Sequence, residues 1–256
     1  MIYTLEDFIR EYSNIVNMGW VKTHRAGPTG IGKTLEDLLG IQENNIDGPD
    51  FGDYELKSCR INSNSMLTMF TRAPEPGGAN TYLRLKYGYS SGAYDNDEKV
   101  LHATLSADRF TPISDTGHRL KITCLDDGIY IESEEGIENI YWSRTALKRC
   151  FEKKYKNKFV YAKADSRGEG ASEEFKFRDA YEVSGFNYDS FIALLEAGKI
   201  YVDLRIGQYH SGRNAGKTHD HGTGFRIREY DQPFLFTNNL SNGVQGATSG
   251  IKKQVV

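Results

Sequence analysis

Cysteine is scarce in this 256-residue chain. Cys59, Cys124 and Cys150 are odd in number and form no C-x-x-C pair, which excludes a disulfide framework and a paired-cysteine redox motif. They read as reduced, partly buried thiols of a cytoplasmic protein. The opening residues, MIYTLEDFIREYSN, place acids where a secretory signal needs a basic start and an apolar run. No stretch approaches the roughly 20 consecutive apolar residues of a membrane-spanning helix, so no membrane partner is expected. Charge of one sign is missing too. The formal net charge is −3, and nothing global marks the chain for a polyanion. There are no internal repeats and no low-complexity linkers.

Hydrophobic residues make up 38% of the chain and charged residues 26%, enough for one large domain or two small lobes sharing a core. Leu5, Phe8, Ile9, Tyr12 and Ile15 recur at helical spacing and predict an amphipathic helix over 4–16. A short helix is expected from Thr34, whose hydroxyl can cap it. DYELKSC and SMLTMFTR read as strands, and residues 73–97, rich in Gly, Pro and Tyr, as a long irregular insertion. KVLHATLS, HRLKITCL and GIYIES read as successive antiparallel strands with DDG as a turn. SRTALKRCFEKKY and NYDSFIALLEAG are helical, the latter stopped by Gly198. KFVYAKAD, KIYVDLRIGQ and TGFRIRE are further strands. The mixture implies an α/β or α+β fold with a mixed sheet.

GPTGIGKT, residues 27–34, satisfies the phosphate-loop pattern G-x-x-x-x-G-K-[ST] at every required position. A phosphate loop needs a buried, aliphatic parallel strand to deliver it to a helix N-terminus. The approach here is WVKTHRAG, in which Lys22, His24 and Arg25 would have to be buried. The match is therefore read as coincidence, and no ATP is expected.

Downstream, Pro49-Asp50 is followed by Glu55-Leu56-Lys57 on an expected strand. Residues two apart on a strand share a face, so Glu55 and Lys57 project together and Asp50 can reach them from the preceding turn. Two carboxylates beside one amine suit Mg²⁺-assisted phosphodiester hydrolysis, because Mg²⁺ accepts a partial carboxylate shell completed by water and phosphate. A solvated strand edge is the bland alternative.

The second informative block is VDLRIGQYHSGRNAGKTHDHGTGFRI. Residues 205–228, the block from Arg205 with the next residue, hold five Arg/Lys, three His and a single acid, Asp220. Arginine matches the guanine O6/N7 edge and a carboxylate accepts from cytosine N4. Two pairs, Asp203/Arg205 and Asp220/Arg226, could thus read C·G base pairs. His219 and His221, with His210 and Asp203, could instead hold zinc or iron. Lys217 and Arg213 fit phosphate contacts, as do Lys22, His24 and Arg25. A third block, GGANTYLRLKYG, offers Arg84, Lys86 and tyrosines to DNA.

TGIGKTLEDLLGIQENNIDGPDFGDYELKS, SMLTMFT, GANTYLRLKYG and the 202–227 block together resemble the MvaI/BcnI family of type II restriction endonucleases, from Trp20 to about Arg228. The resemblance implies a restriction-endonuclease-like PD-(D/E)xK core, a mixed sheet flanked by helices. A catalytic lobe at 1–160 and a DNA-recognition lobe at 161–256 are expected, with an irregular tail after about 232. It implies Asp50 and Glu55 as metal ligands, Lys57 as the catalytic lysine, and Glu36 as an additional acid presented by a tight GIGKT turn. The DNA-binding set becomes Arg84, Asp203, Arg205, Tyr209, His210, Lys217, His219, Asp220, His221 and Arg226. It further implies a prokaryotic monomer that cuts double-stranded DNA one strand at a time, with Mg²⁺ for cleavage and Ca²⁺ supporting binding alone. A CCWGG-like site cut after the second C is expected, CCSGG being the alternative, and a host methyltransferase would protect the same site. A nicking repair endonuclease and a silent DNA-binding module are the competing classes.

Overall fold

The computed structural model describes residues 2–41, 49–61, 66–90, 99–155 and 158–240. The first part of the chain contributes α1 (Leu5–Asn17), β1 (Val21–Lys22), α2 (Gly30–Leu38) and β2 (Tyr54–Arg60). Next come β3 (Leu67–Thr71), α3 (Ala79–Tyr87), β4 (Tyr89–Ser90), β5 (Lys99–Leu105), β6 (Thr111–Pro112), β7 (Arg119–Cys124), β8 (Gly128–Ser133), β9 (Gly136–Ser143) and α4 (Arg144–Lys154). After them follow β10 (Lys158–Arg167), β11 (Glu174–Val183), α5 (Tyr188–Glu196), β12 (Ile200–Gln208), β13 (Thr218–Asp220), β14 (Gly224–Ile227) and β15 (Asn238–Asn239).

These elements form two compact units interleaved in sequence, 1–64 with 157–185 and 234–256, and 65–156 with 186–233. The division is not a single cut near residue 160. β2 lies parallel to β10, and parallel neighbours need a crossover connection. Here the connection includes residues 65–156, a large share of the second unit.

In the first unit the sheet runs β1-β11-β10-β2, with β15 added to β11. It is mixed, because β10 is parallel to β2 and antiparallel to β11. α1 starts where expected, at a capping box in which Thr4 and Asp7 exchange side-chain and backbone hydrogen bonds. Its buried stripe of Phe8, Tyr12 and Ile15 joins Tyr54 and Leu56 of β2 in the core. Strand alternation sends Glu55 and Lys57 to the opposite face.

α2 begins at Gly30, four residues before the expected start. Thr34 is no cap: it is buried inside the helix, donating to Gly30 O at 2.8 Å and accepting from His24 N at 2.9 Å. GIGKT is thus helix rather than turn. The reversal lies upstream, at Gly27 with φ +93°, and a Cβ at Gly30 would sit 2.2 Å from Arg25 O.

The second unit holds an antiparallel sheet, β3-β14-β12-β5-β4 with β13 paired to β12, and the antiparallel β6-β7-β8-β9. β7 and β8 form the expected hairpin across Asp126-Asp127-Gly128, but β5 pairs with β12 rather than β7. The insertion expected to be irregular contains α3, bounded by Gly78 and Gly88; its residues 91–97 lie outside the described residues. So do 241–256 of the expected tail. No helix among the described residues is long and apolar enough to cross a membrane.

Candidate active site and nucleic-acid interface

β2 is an edge strand with β10 as its only sheet neighbour among the described residues. Asp50 occupies the open side: its Oδ2 accepts from Leu56 N at 2.6 Å, which fixes the carboxylate beside Glu55 and Lys57. Lys57 Nζ donates directly to Glu55 Oε1. Asp50 is exposed, while Glu55 and Lys57 are half-buried. The structure therefore brings these three expected residues to one stretch of strand. Glu36 lies in the second turn of α2, which packs on β2. A Cβ at Gly32 would be 3.9 Å from Glu36 Oε1 and 3.7 Å from Ser58 Oγ, ordinary contact distances that put Gly32 next to both side chains.

Sequence reasoning missed what holds the loop before α2. Arg60, at the end of β2, grips Glu173 with two hydrogen bonds of 2.6 and 2.8 Å. Its Nη1 donates to Pro28 O at 3.1 Å, and its Nη2 donates to Gly27 O at 3.2 Å as well as to Glu173. A fork-to-fork pair of this kind is geometrically specific, and here it ties the glycine loop to the sheet.

The nucleotide-like motif has no phosphate cradle. β1, the strand before it, is two residues long and antiparallel to β11. Lys33 pairs with Asp37 one turn on, at 2.7 Å. Asp37 also meets His24 Nδ1 at 2.9 Å, so His24, expected at phosphates, has an acid partner. Lys33 and then His24 hold the Asp37 carboxyl below its ordinary range.

Among the described residues no three His, Cys, Asp or Glu side chains converge on a metal position. The zinc or iron alternative for His210, His219, His221 and Asp203 therefore loses its geometric basis. A hard cation retaining water is a different case. Asp50 Oδ1 accepts no hydrogen bond from a described residue, and Glu55 stands beside it on the same edge. That open, oxygen-only set fits Mg²⁺, which commonly takes one or two carboxylates and completes its shell with water and phosphate.

In the second unit, Val202, Leu204 and Ile206 of β12 are buried in the core, which turns Asp203 and Arg205 to the other face. Asp203 is buried at 6% exposure, and each of its oxygens has a partner. Its Oδ1 accepts from Thr104 Oγ1 at 2.8 Å, and its Oδ2 from Arg205 Nε at 2.7 Å. Arg226 Nε lies 3.1 Å from the same Oδ2, but its N–H is not aimed well enough for a hydrogen bond. The contact is an ion pair. Gly224 is directly opposite Asp203 in register, and Arg226 reaches Asp203 from two residues further along β14. Burial draws the Arg226 pKa down while Asp203 opposes that shift.

Asp203 and Arg205 open on a cleft of about 600 Å³ shared with His102, Thr104 and His221. Tyr209 stacks on His219 with centroids 4.1 Å apart, and His219 meets His221 at 4.1 Å. A Cβ at Gly207 would lie 3.0 Å from His221 Nε2, so glycine makes room for that ring. Burial, then His219 and His102, hold the His221 pKa below its ordinary value.

Two expected recognition residues are used differently. Asp220 does not pair with Arg226: its Oδ1 accepts from Gly222 N and Thr223 N at 2.9 and 2.6 Å, and its Oδ2 from Asn80 at 3.0 Å. One carboxylate, Asp203, serves both arginines instead. Arg84 is buried at 7% exposure. It donates to Gln208 Oε1 at 2.9 Å, and to Lys99 O and Thr218 Oγ1 at 3.2 Å each, so it braces α3 against β12 and β13. Lys217 and Arg213 are exposed on the 209–217 hairpin. His210 is exposed there too.

A mixed sheet that carries a PD…ExK set on its edge strand, in a chain with a preorganised arginine cleft, defines a nuclease of restriction-endonuclease-like fold. The chain belongs to the MvaI/BcnI restriction endonuclease family, which it matches over residues 9–236; it is a site-specific DNA nuclease of the type II restriction class. A solved complex of restriction endonuclease MvaI with its cognate DNA substrate is similar at a TM-score of 0.70 and 34% identity, covering 93% of this chain and 99% of that one. MvaI in the absence of DNA gives a TM-score of 0.58 at 34% identity, covering 93% of this chain and 97% of that one. No curated protein sequence matches. The family generally implies use of a divalent metal.

Proposed function

We propose that this enzyme is a Mg²⁺-dependent endonuclease that cuts double-stranded DNA at a CCWGG-like site, one strand at a time, as a monomer. The observation that carries the reading is the Asp50–Leu56 hydrogen bond, which sets a carboxylate next to Glu55 and Lys57 at an open strand edge. Asp50 and Glu55 would hold the ion, which would supply Lewis acidity while water bonds to phosphorus, one bridging P–O bond breaks, and the departing oxygen takes up the proton that water releases. Lys57 donates to the attacking water or to a non-bridging oxygen and offsets negative charge as it builds. The side chains of Arg205 and Arg226 present donors to guanine, and Asp203 retains acceptor capacity for a cytosine amino group. With one catalytic set per chain, a monomer cuts the strands in successive events. A host would need a methyltransferase covering the same site.

The test is digestion of a plasmid holding mapped CCWGG and CCSGG sites, with Mg²⁺ and separately with Ca²⁺. Nicked circles preceding linear product, with ends mapping after the second C of CCWGG in Mg²⁺ alone, are expected. Cutting confined to CCSGG refutes the central-base assignment, and direct linearisation without nicks refutes the monomeric order.

A further inference from the structure

Thr104 plays no part in the sequence patterns that pointed to DNA, yet it makes the contact on which the Asp203 fork depends. Resting on the reading of this cleft as a base reader, we propose that Thr104 is a positioning residue for sequence discrimination. Its hydroxyl locks the Asp203 carboxylate so that one oxygen gathers both arginine Nε groups.

The geometry divides the carboxylate cleanly. Oδ1 is held by Thr104 Oγ1 at 2.8 Å, and Oδ2 faces Arg205 Nε at 2.7 Å and Arg226 Nε at 3.1 Å. An arginine held through Nε keeps its Nη donors available, and paired donors are what match guanine O6 and N7. The terminal torsion of an aspartate is broad and roughly two-fold, so the carboxylate has no intrinsic reason to keep this division. Without the hydroxyl, a buried Oδ1 would be left unsatisfied, which is unfavourable. Rotation would then share the two arginines over both oxygens and displace their outer edges. The hydroxyl itself cannot follow such a rotation. Thr104 is directly opposite Asp203 in the β5–β12 register, its β-branched side chain has restricted χ1, and its carbonyl is held by Thr111 Oγ1 at 3.0 Å.

Thr104→Val keeps shape and branching and removes only the donor; Thr104→Ser restores the donor. Competition binding in Ca²⁺ would compare the cognate site, a site with one G·C pair replaced, and random DNA. Discrimination against the replaced site should fall about tenfold in Thr104→Val, with random-DNA affinity within about twofold of wild type and recovery in Thr104→Ser. Unchanged discrimination in Thr104→Val, equal loss on all three DNAs, or no recovery in Thr104→Ser overturns the proposal. NMR of the arginine Nε–Hε groups in the DNA-free protein tests the clamp independently. The Arg205 and Arg226 signals should move in Thr104→Val and return in Thr104→Ser; signals that stay in place overturn it. A wild type without sequence preference sinks the base-reader reading, and with it the role in discrimination; the NMR arm then reports only whether the clamp itself exists.

Discussion

Under the proposed function, the two units solve opposite problems with the same residue types. In the first, Asp50, Glu55 and Lys57 lie within eight positions of one another on or beside an edge strand, and among the described residues a backbone N–H alone fixes the leading carboxylate. In the second, Asp203 is buried and takes partners from two other strands, Thr104 being 99 residues away in sequence. Hydrolysis acts on the same phosphodiester whatever the sequence, so its groups need water, an ion and little enclosure. Reading bases needs donors held in one geometry before DNA arrives, and that preorganisation requires burial and compensated charge. The catalytic edge should therefore lose chemistry without losing fold. The reader should lose discrimination, and its braces should lose stability.

The largest effect is expected at the edge. Asp50→Ala or Lys57→Ala should lower single-turnover cleavage by about 10²–10³-fold or more, with cognate binding nearly unchanged. Cleavage within tenfold of wild type would remove these residues from catalysis.

In the reader, Arg205→Ala should cost about 1–3 kcal/mol of discrimination between cognate and random DNA. Lys217→Ala, on the exposed hairpin, should weaken both alike and reduce the salt dependence of binding by about one unit of slope. Equal losses on both DNAs for Arg205→Ala would make that arginine a phosphate clamp.

Arg84→Ala sharpens the contrast between reader and brace. Removing a buried guanidinium from Gln208, Thr218 and Lys99 O should destabilise the protein by about 1–3 kcal/mol. Discrimination per folded molecule should stay near wild type. A stable Arg84→Ala variant with weakened DNA binding would return Arg84 to the DNA surface.

The smallest effect is the pH dependence of His221, whose pKa is lowered by burial, then by His219 and His102. The unfolded chain takes up this proton at higher pH than the folded chain. His221 therefore favours folding fully above the ordinary imidazole range, and that contribution is lost as pH falls through the lowered value. Denaturation midpoints between about pH 8 and pH 5 should fall less steeply in His221→Gln than in wild type. Parallel slopes would show that His221 titrates alike in both states.

Much of the first unit was readable along the chain. The capping box and apolar stripe of α1, the alternation of β2 and the Asp50…Glu55-x-Lys57 spacing are all local. The start of α2 was not, because the close approach of Arg25 O to Gly30 is set by the folded loop and not by a cap. β11 has no counterpart among the expected strands, because its charged residues interrupt the apolar run of EFKFRDAYEV. α3 was hidden because its glycine- and proline-rich surroundings masked a nine-residue helix.

By itself the sequence placed Glu55 and Lys57 together, since residues two apart on a strand share a face in any register, with Asp50 within reach from the preceding turn. It also determined that arginines and a carboxylate would project together from β12. Only the tertiary structure decided which acid each arginine meets. That choice depends on β5, β12 and β14 lying side by side in one register, so that Thr104 and Arg226 converge on Asp203 while Asp220 turns back onto its own loop. Pairing of strands distant in sequence is selected by the burial of their apolar faces, and the polar partners on the other face follow from it.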